Sequence, residues 1–353
     1  MKKLIALTLS LAMALSLAAC GGSSGGGSSS GGSSSGGSSS GGSSSGGSSS
    51  GAKVLRLSTH LAIDHSTMQM AQKFKELLQE KSGGSLDVEF YTDSQLGGQT
   101  DNCEALKSGS MDMTIIDTGT LANYDPRGGL LDMPYLFASK DQAIKAVSGE
   151  VGQEFMSMIT ESTGIRPISL QAIAFRNTLL KDKVISSISD FQGVKVRIPD
   201  NPSIEACFSA LGATPVAIPS GEAYTAVQTG VTDGMEGNFE FIAQSKYYEV
   251  ANQMTLTEHI MTFTAFCISD KVYQSLTADQ QKAIDDSAAE AMDFFYDLYV
   301  DIENNAKQVL TDGGVTFHEI DKAPLMAACA PALEKFVSDN NLGDLYAKIQ
   351  ALA

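Results

Sequence analysis

The chain has 353 residues, with 41 acidic against 24 basic side chains and a net charge of −17. No basic run interrupts that acidity, so nucleic acid is not an expected partner. The part beyond the first 51 positions runs to roughly 300 residues, large for one core and suited to two domains.

Met1-Lys2-Lys3 is basic, and Leu4 to Leu17 is apolar apart from Thr8, Ser10 and Ser16. A basic start, a short apolar run and small residues before a cut describe a secretory signal peptide over 1–19. The run is too short to span a bilayer comfortably, which takes about 20 residues. Leu17-Ala18-Ala19-Cys20 resembles a bacterial lipobox, which implies cleavage before Cys20 and lipid attachment to its sulfur. A plain signal peptide cut beside a chance cysteine is the alternative. Gly21 to Gly51 contains only glycine and serine. It buries no apolar surface, so nothing offsets its chain entropy and it reads as a flexible tether with an r.m.s. span of about 30 Å. The expected plan is therefore export, a lipid-anchored tether over 20–51, and a globular part held at the extracytoplasmic face of the membrane.

Val54 to Leu57 reads as an opening strand and His60 to Ser66 as a polar loop. Met70, Ala71, Phe74, Leu77 and Leu78 share a helical face ended by Gly83-Gly84. Leu86 to Tyr91 is a strand, Thr100 to Lys107 a helix and Met113 to Ile116 a buried strand, which together make a parallel α/β pattern. Ligands in such sheets bind at loops beyond the carboxyl ends of strands, here 60–66, 91–98 and 117–120. Ala172 to Phe175 is apolar, so Arg176 enters from a buried strand and needs a partner. Val194, Val196 and Ile198 alternate with Lys195 and Arg197, placing Arg197 opposite the apolar face. Helix at 204–211, strand at 214–218 and helix at 222–229 follow. From Ile284 to Val309 apolar residues step by three or four. Thr277 and Gln280 form a capping box before them and Gly313-Gly314 stands after them. A helix of that length spans about 50 Å and crosses more than one small domain.

The chain has five arginines: Arg56, Arg127, Arg166, Arg176 and Arg197. Arginine grips a carboxylate with two parallel donors, which lysine cannot do. Cys103, Cys207, Cys267 and Cys329 have neither redox nor zinc spacing and read as free, buried thiols. No HExxH, GxSxG, P-loop or dinucleotide fingerprint is present, and His60, His65, His259 and His318 are too scattered for a metal cluster. No enzyme, metal or cofactor is expected. A binding protein of an ATP-driven importer and a ligand sensor remain open alternatives on these residues.

Six stretches in order resemble the extracytoplasmic solute-binding proteins of TRAP transporters, the DctP-like family. They are Gln95–Gly97 (QLG), Gly109–Met113 (GSMDM), Pro134–Phe137 (PYLF), Phe191–Pro199 (FQGVKVRIP), Leu211–Pro215 (LGATP) and Glu222–Glu236 (EAYTAVQTGVTDGME). The resemblance implies an α/β fold of two domains, type II-like among periplasmic binding proteins, with a central ligand cleft and a long helix crossing both. The expected division is 52–174 plus about 263–300 against 175–262 plus about 301–353 (roughly, from the element pattern). It implies a carboxylate clamped by Arg197, with Arg176 beside it. The family's usual Asn after DGxE is Gly237 here, with Asn238 and Phe239 next. These, with Thr257-Glu258-His259, look like a sugar-acid subgroup, a uronate or aldonate, ahead of a four-carbon dicarboxylate. Asp64, His65, Gln95, Thr118, Thr120 and Tyr135 are the further expected ligand contacts. The implied partners are the small and large TRAP membrane subunits, and the implied state is a monomer.

If Cys20 carries the anchor, Cys20→Ser releases the protein from the membrane fraction. Unchanged membrane association of that variant, read by fractionation and immunoblot, refutes the lipobox reading.

Overall fold

The computed structural model describes residues 51–353; the expected signal peptide, Cys20 and the expected tether up to residue 50 lie outside the described residues. Strand β1 (Lys53–Thr59) runs parallel to β2 (Leu86–Tyr91) and β3 (Met113–Asp117). Helices α1 (Ser66–Lys81) and α2 (Gln99–Ser108) connect them, as the spacing predicts. Two short 3₁₀ segments lead to α3 (Lys140–Ser148) and α4 (Glu150–Thr163).

The 16-residue β4 (Ile165–Leu180) comes next. After it come β5 (Lys195–Ile198), α5 (Pro202–Ala210), β6 (Thr214–Ala217), α6 (Ser220–Gln228), β7 (Gly234–Gly237) and α7 (Phe239–Gln244). The 17-residue β8 (Gln253–Ser269) returns antiparallel to β4. The chain closes with α8 (Asp270–Gln274), α9 (Ala278–Asp312), β9 (Thr316–His318), α10 (Ala323–Asp339) and α11 (Gly343–Gln350). One mixed sheet results, in the order β2-β1-β3-β8-β4-β7-β5-β6, with β9 on β8.

Four apolar clusters pack on this sheet, two at each end. Phe74, Phe266 and Phe295 centre one, and Phe137, Phe155 and Phe263 another. Phe191 and Phe208, then Met235 and Tyr247, centre the two beyond the crossing. Strands β4 and β8 pass from the first pair of clusters to the second. So does α9: Ile284 to Tyr299 pack with Phe74, whereas Ala306 and Leu310 pack with Tyr247. The helix has 35 residues and carries the expected capping box between Thr277 and Gln280. The C-terminal residues divide as well. Leu325 and Cys329 join the Phe208 cluster, but Leu333, Leu342, Leu345 and Ile349 return to the Phe155 cluster. Cys103, Cys207, Cys267 and Cys329, the cysteines among the described residues, are free and buried.

A carboxylate ties the two ends together. The first turn of α1 holds no acidic residue of its own. Glu240, on α7, supplies one: it accepts from the Ser66 backbone N–H at 2.9 Å and from the Ser66 hydroxyl at 2.7 Å. A negative group there complements the helix dipole and satisfies an orphan donor. Ser66 is fully buried and Glu240 is 2% exposed. Glu240→Ala therefore strands buried donors, and the unfolding free energy falls by about 1–3 kcal/mol. Urea melts of the two proteins read this directly; coincident midpoints refute the tie.

Candidate ligand-binding cleft

The loops beyond the carboxyl ends of β1, β3 and β5 converge where the sheet passes between the two pairs of cores. They enclose an inner space of about 30 Å³ lined by His60, Leu61, His65, Asp117, Ile173, Arg176, Arg197, Pro199, Ser220, Asn238, Phe241, Thr262 and Thr264. His60, Arg197, Pro199 and Ser220 also line an outer space of about 520 Å³, bounded by the starts of α2 and α6 and by Thr120. Thirty cubic ångströms is far below the roughly 300 Å³ at which small-molecule sites begin. The outer space exceeds it, so a ligand reaching the inner groups has to part the walls between the two.

Arg197 sits on β5 opposite Val196 and Ile198, which pack into the Phe208 cluster, as the alternation predicts. It is 1% exposed. Its Nε donates to the Ile218 carbonyl at 2.8 Å and its Nη2 to the Ser220 hydroxyl at 3.4 Å. Both partners are neutral, and no carboxylate lies within salt-bridge distance of it among the described residues. Burial lowers its pKa, with nearby Arg176 adding to the effect, but a guanidinium remains charged at any ordinary pH.

Arg176 is treated oppositely. It lines the inner space, but its Nε and its Nη2 (2.6 Å) both donate to the carboxylate of Glu236 on β7. Burial would lower the arginine's pKa; the Glu236 charge overrides it and raises the value. Burial would likewise raise Glu236, but Arg176 first and His259 second hold it down at about 2. His259 Nε2 lies 3.3 Å from Glu236 and its Nδ1 2.8 Å from the Thr257 hydroxyl. The partner that Arg176 needs was legible as a requirement, but Glu236, 60 residues away, was read only as a letter of the DGME stretch.

Among the other expected contacts, His65 and Asn238 line the inner space and Thr120 the outer one. His65 caps α1 by accepting from Thr67 N–H at 3.1 Å. Asn238 caps α7, accepting from Phe241 N–H at 2.9 Å. Phe239 points elsewhere: it stacks edge-on against Phe317, because α7 begins at this residue and turns Phe241 toward the cleft instead. Asp64 and Gln95 are exposed and line neither space. Thr118 is spent on the buried Asp132 at 2.5 Å. Burial first, and Asp117 in addition, raise that carboxyl to about 7, against the Thr118 hydrogen bond. Tyr135 reaches the Thr257 carbonyl at 3.3 Å and packs with the Phe208 cluster. The reading of single residues missed His60, Asp117, Thr262 and Thr264; the first two stand at strand ends where a loop rule points, and the last two lie inside the long β8.

The family profile of the bacterial extracellular solute-binding proteins, family 7 (DctP), matches residues 57–340. A solute-binding protein of Roseobacter denitrificans is 32% identical over 79% of this chain and 86% of its own length. The C4-dicarboxylate-binding periplasmic protein DctP of Rhodobacter capsulatus is 30% identical over 76% of this chain and 80% of its own. A TRAP periplasmic solute-binding protein of a Sulfitobacter species, solved with bound β-D-galacturonate, superposes with a TM-score of 0.80 at 27% identity, covering 83% of this chain and 98% of that one. The chain belongs to the DctP family of bacterial extracellular solute-binding proteins, the binding components of TRAP transporters.

Proposed function

We propose that this protein captures a sugar acid with a single carboxylate in the cleft and hands it to the TRAP membrane subunits. Arg197 carries the reading: a fully buried guanidinium, facing the inner space, whose partners are neutral. A ligand carboxylate supplies the missing charge through charge-assisted hydrogen bonds. Of the charged groups on the walls, Arg176 is already neutralised by Glu236 behind it, and Asp117 is itself a carboxylate. A second carboxylate on the ligand would meet those acids with no free cation, which disfavours a four-carbon dicarboxylate. Imidazoles, threonines and Asn238 suit hydroxyl groups. The galacturonate bound by the Sulfitobacter protein is of this chemical class.

The two pairs of apolar clusters are the two lobes in this reading, divided near residues 175 and 262, with α9 spanning both and α11 returning to the first. Ligand bonds to both lobes favour the closed arrangement only by their preference for it. The protein works as a monomer, held to the membrane through lipid on Cys20, and performs no chemistry on its ligand. An ATP-driven importer is set aside by the family; a sensor role would leave the site unchanged.

Arg197→Ala weakens binding of D-galacturonate by about 30- to several-thousand-fold, because a buried charge loses its partner. Arg197→Lys is also poor, lacking the two-pronged donor. The alanine variant loses only the Ile218 and Ser220 bonds and still folds. Titration calorimetry beside a melting curve is the measurement; near-native affinity removes Arg197 as the clamp. Glu236→Gln leaves Arg176 charged and unpaired, so the ratio of succinate to galacturonate affinity rises about tenfold or more. An unchanged ratio refutes the charge count.

A further inference from the structure

Nearly every polar group on the cleft wall already has a protein partner. His65 Nδ1 and Asn238 Oδ1 cap helices. The Thr264 hydroxyl donates to Gln171 at 2.6 Å, and Asn238 Nδ2 reaches the Thr262 hydroxyl at 3.4 Å. His60 differs. Its Nδ1 is buried and has no hydrogen-bond partner, and it is the one such buried side-chain atom among the described residues lining the inner space. A buried polar nitrogen left unpaired costs stability and calls for an explanation.

Position supplies one. His60 follows the last residue of β1, so a rigid sheet sets its place. It lines both the inner and the outer space, as do Arg197 and Ser220. A ligand that anchors its carboxylate on Arg197 and extends between the two spaces has to run past this imidazole. Resting on the sugar-acid reading above, we propose that His60 Nδ1 is a recognition group for a ligand hydroxyl, across the cleft from the carboxylate clamp. Burial keeps the ring neutral, with His65 and Arg197 adding to the effect and Asp117 opposing it. A neutral imidazole offers one acceptor and one donor. It therefore reads hydroxyls without adding a cation that would invite a second carboxylate. A site that pairs a ligand hydroxyl with a buried group discriminates strongly against ligands lacking it, because the group is then left unsatisfied.

Titration calorimetry of the mature protein with D-galacturonate, D-glucuronate and D-gluconate tests this, using wild type, His60→Ala and His60→Gln. The alanine variant loses about 5- to 100-fold in affinity for whichever acid wild type binds. The glutamine variant, which retains an acceptor and a donor, recovers a substantial part of the loss. In ¹⁵N-histidine-labelled wild type, the His60 Nδ1 resonance shifts on saturation. Affinity in His60→Ala within twofold of wild type, or an unmoved His60 resonance, overturns the assignment and leaves the sugar-acid reading standing. Failure of wild type to bind any of the three acids overturns the sugar-acid reading and this assignment with it.

Discussion

A guanidinium buried away from water has to be balanced, and the cleft is organised by the two different ways in which this is met. Arg176 is neutralised within the fold. Its bidentate pair with Glu236, backed by His259, joins β4, β7 and β8 at the crossing between the cores. Such a pair gains little net stability over an apolar equivalent, but losing one member strands a buried charge. Arg197 meets only a carbonyl and a hydroxyl. Were Glu236 absent, the two arginines would repel each other and both would solicit anions. With it present, one cation, Arg197, stays without a charged partner.

The backbone around this pair is irregular where the cores divide. The β4–β8 register shifts between Ala172 and Phe175 and again between Arg176 and Thr178. Opposite those breaks Glu258 takes a φ of 41° and, from the loop above, Tyr135 one of 55°. Left-handed backbone in residues other than glycine is strained and persists only where surroundings over-determine it. Here the Asn177 side chain accepts from Glu258 N–H at 3.1 Å, and the His259 carbonyl accepts from Tyr135 N–H at 2.9 Å. Arg176 and Thr262, which stand at these interruptions, line the inner space. The interruptions lie where the two shared strands pass between the cores.

The sequence exposes these features unevenly, and the reasons are physical. The first three strands and two helices were legible because each carries its own period and a stop signal such as Gly83-Gly84. The placement of Arg197 was legible because Lys195–Ile198 alternates around a one-sided core, whereas its assignment as a clamp came with the family resemblance. Of the long strands only the 172–175 stretch of β4 was read, and β8 was not: Met261–Ser269 is buried throughout, and past Ala265 its apolar residues carry no alternation to read. The partner of Arg176 lay 60 residues away, and pairing across a sheet leaves no mark in local spacing. Phe239 against Phe241 turned on where α7 starts, since a one-residue offset rotates a helical side chain by about a quarter turn or more. His60 carries no motif; only the loop rule for α/β sheets pointed to its neighbourhood.

A net charge of −17 appears at odds with an anionic ligand until the distances are considered. Exposed carboxylates act through water and salt, and their field decays over about 8–10 Å. Arg197 acts at contact range in a buried site, where screening is weak and a single cation outweighs many distant anions. The acidic exterior therefore keeps the protein soluble without repelling ligand from the clamp. In the proposed reading the ligand's charge is limited instead by Asp117 on the wall and by Glu236, which takes up Arg176 from behind it. The proposed preference for one carboxylate over two rests on that local count of charges, and the composition of the whole chain has almost no say in it.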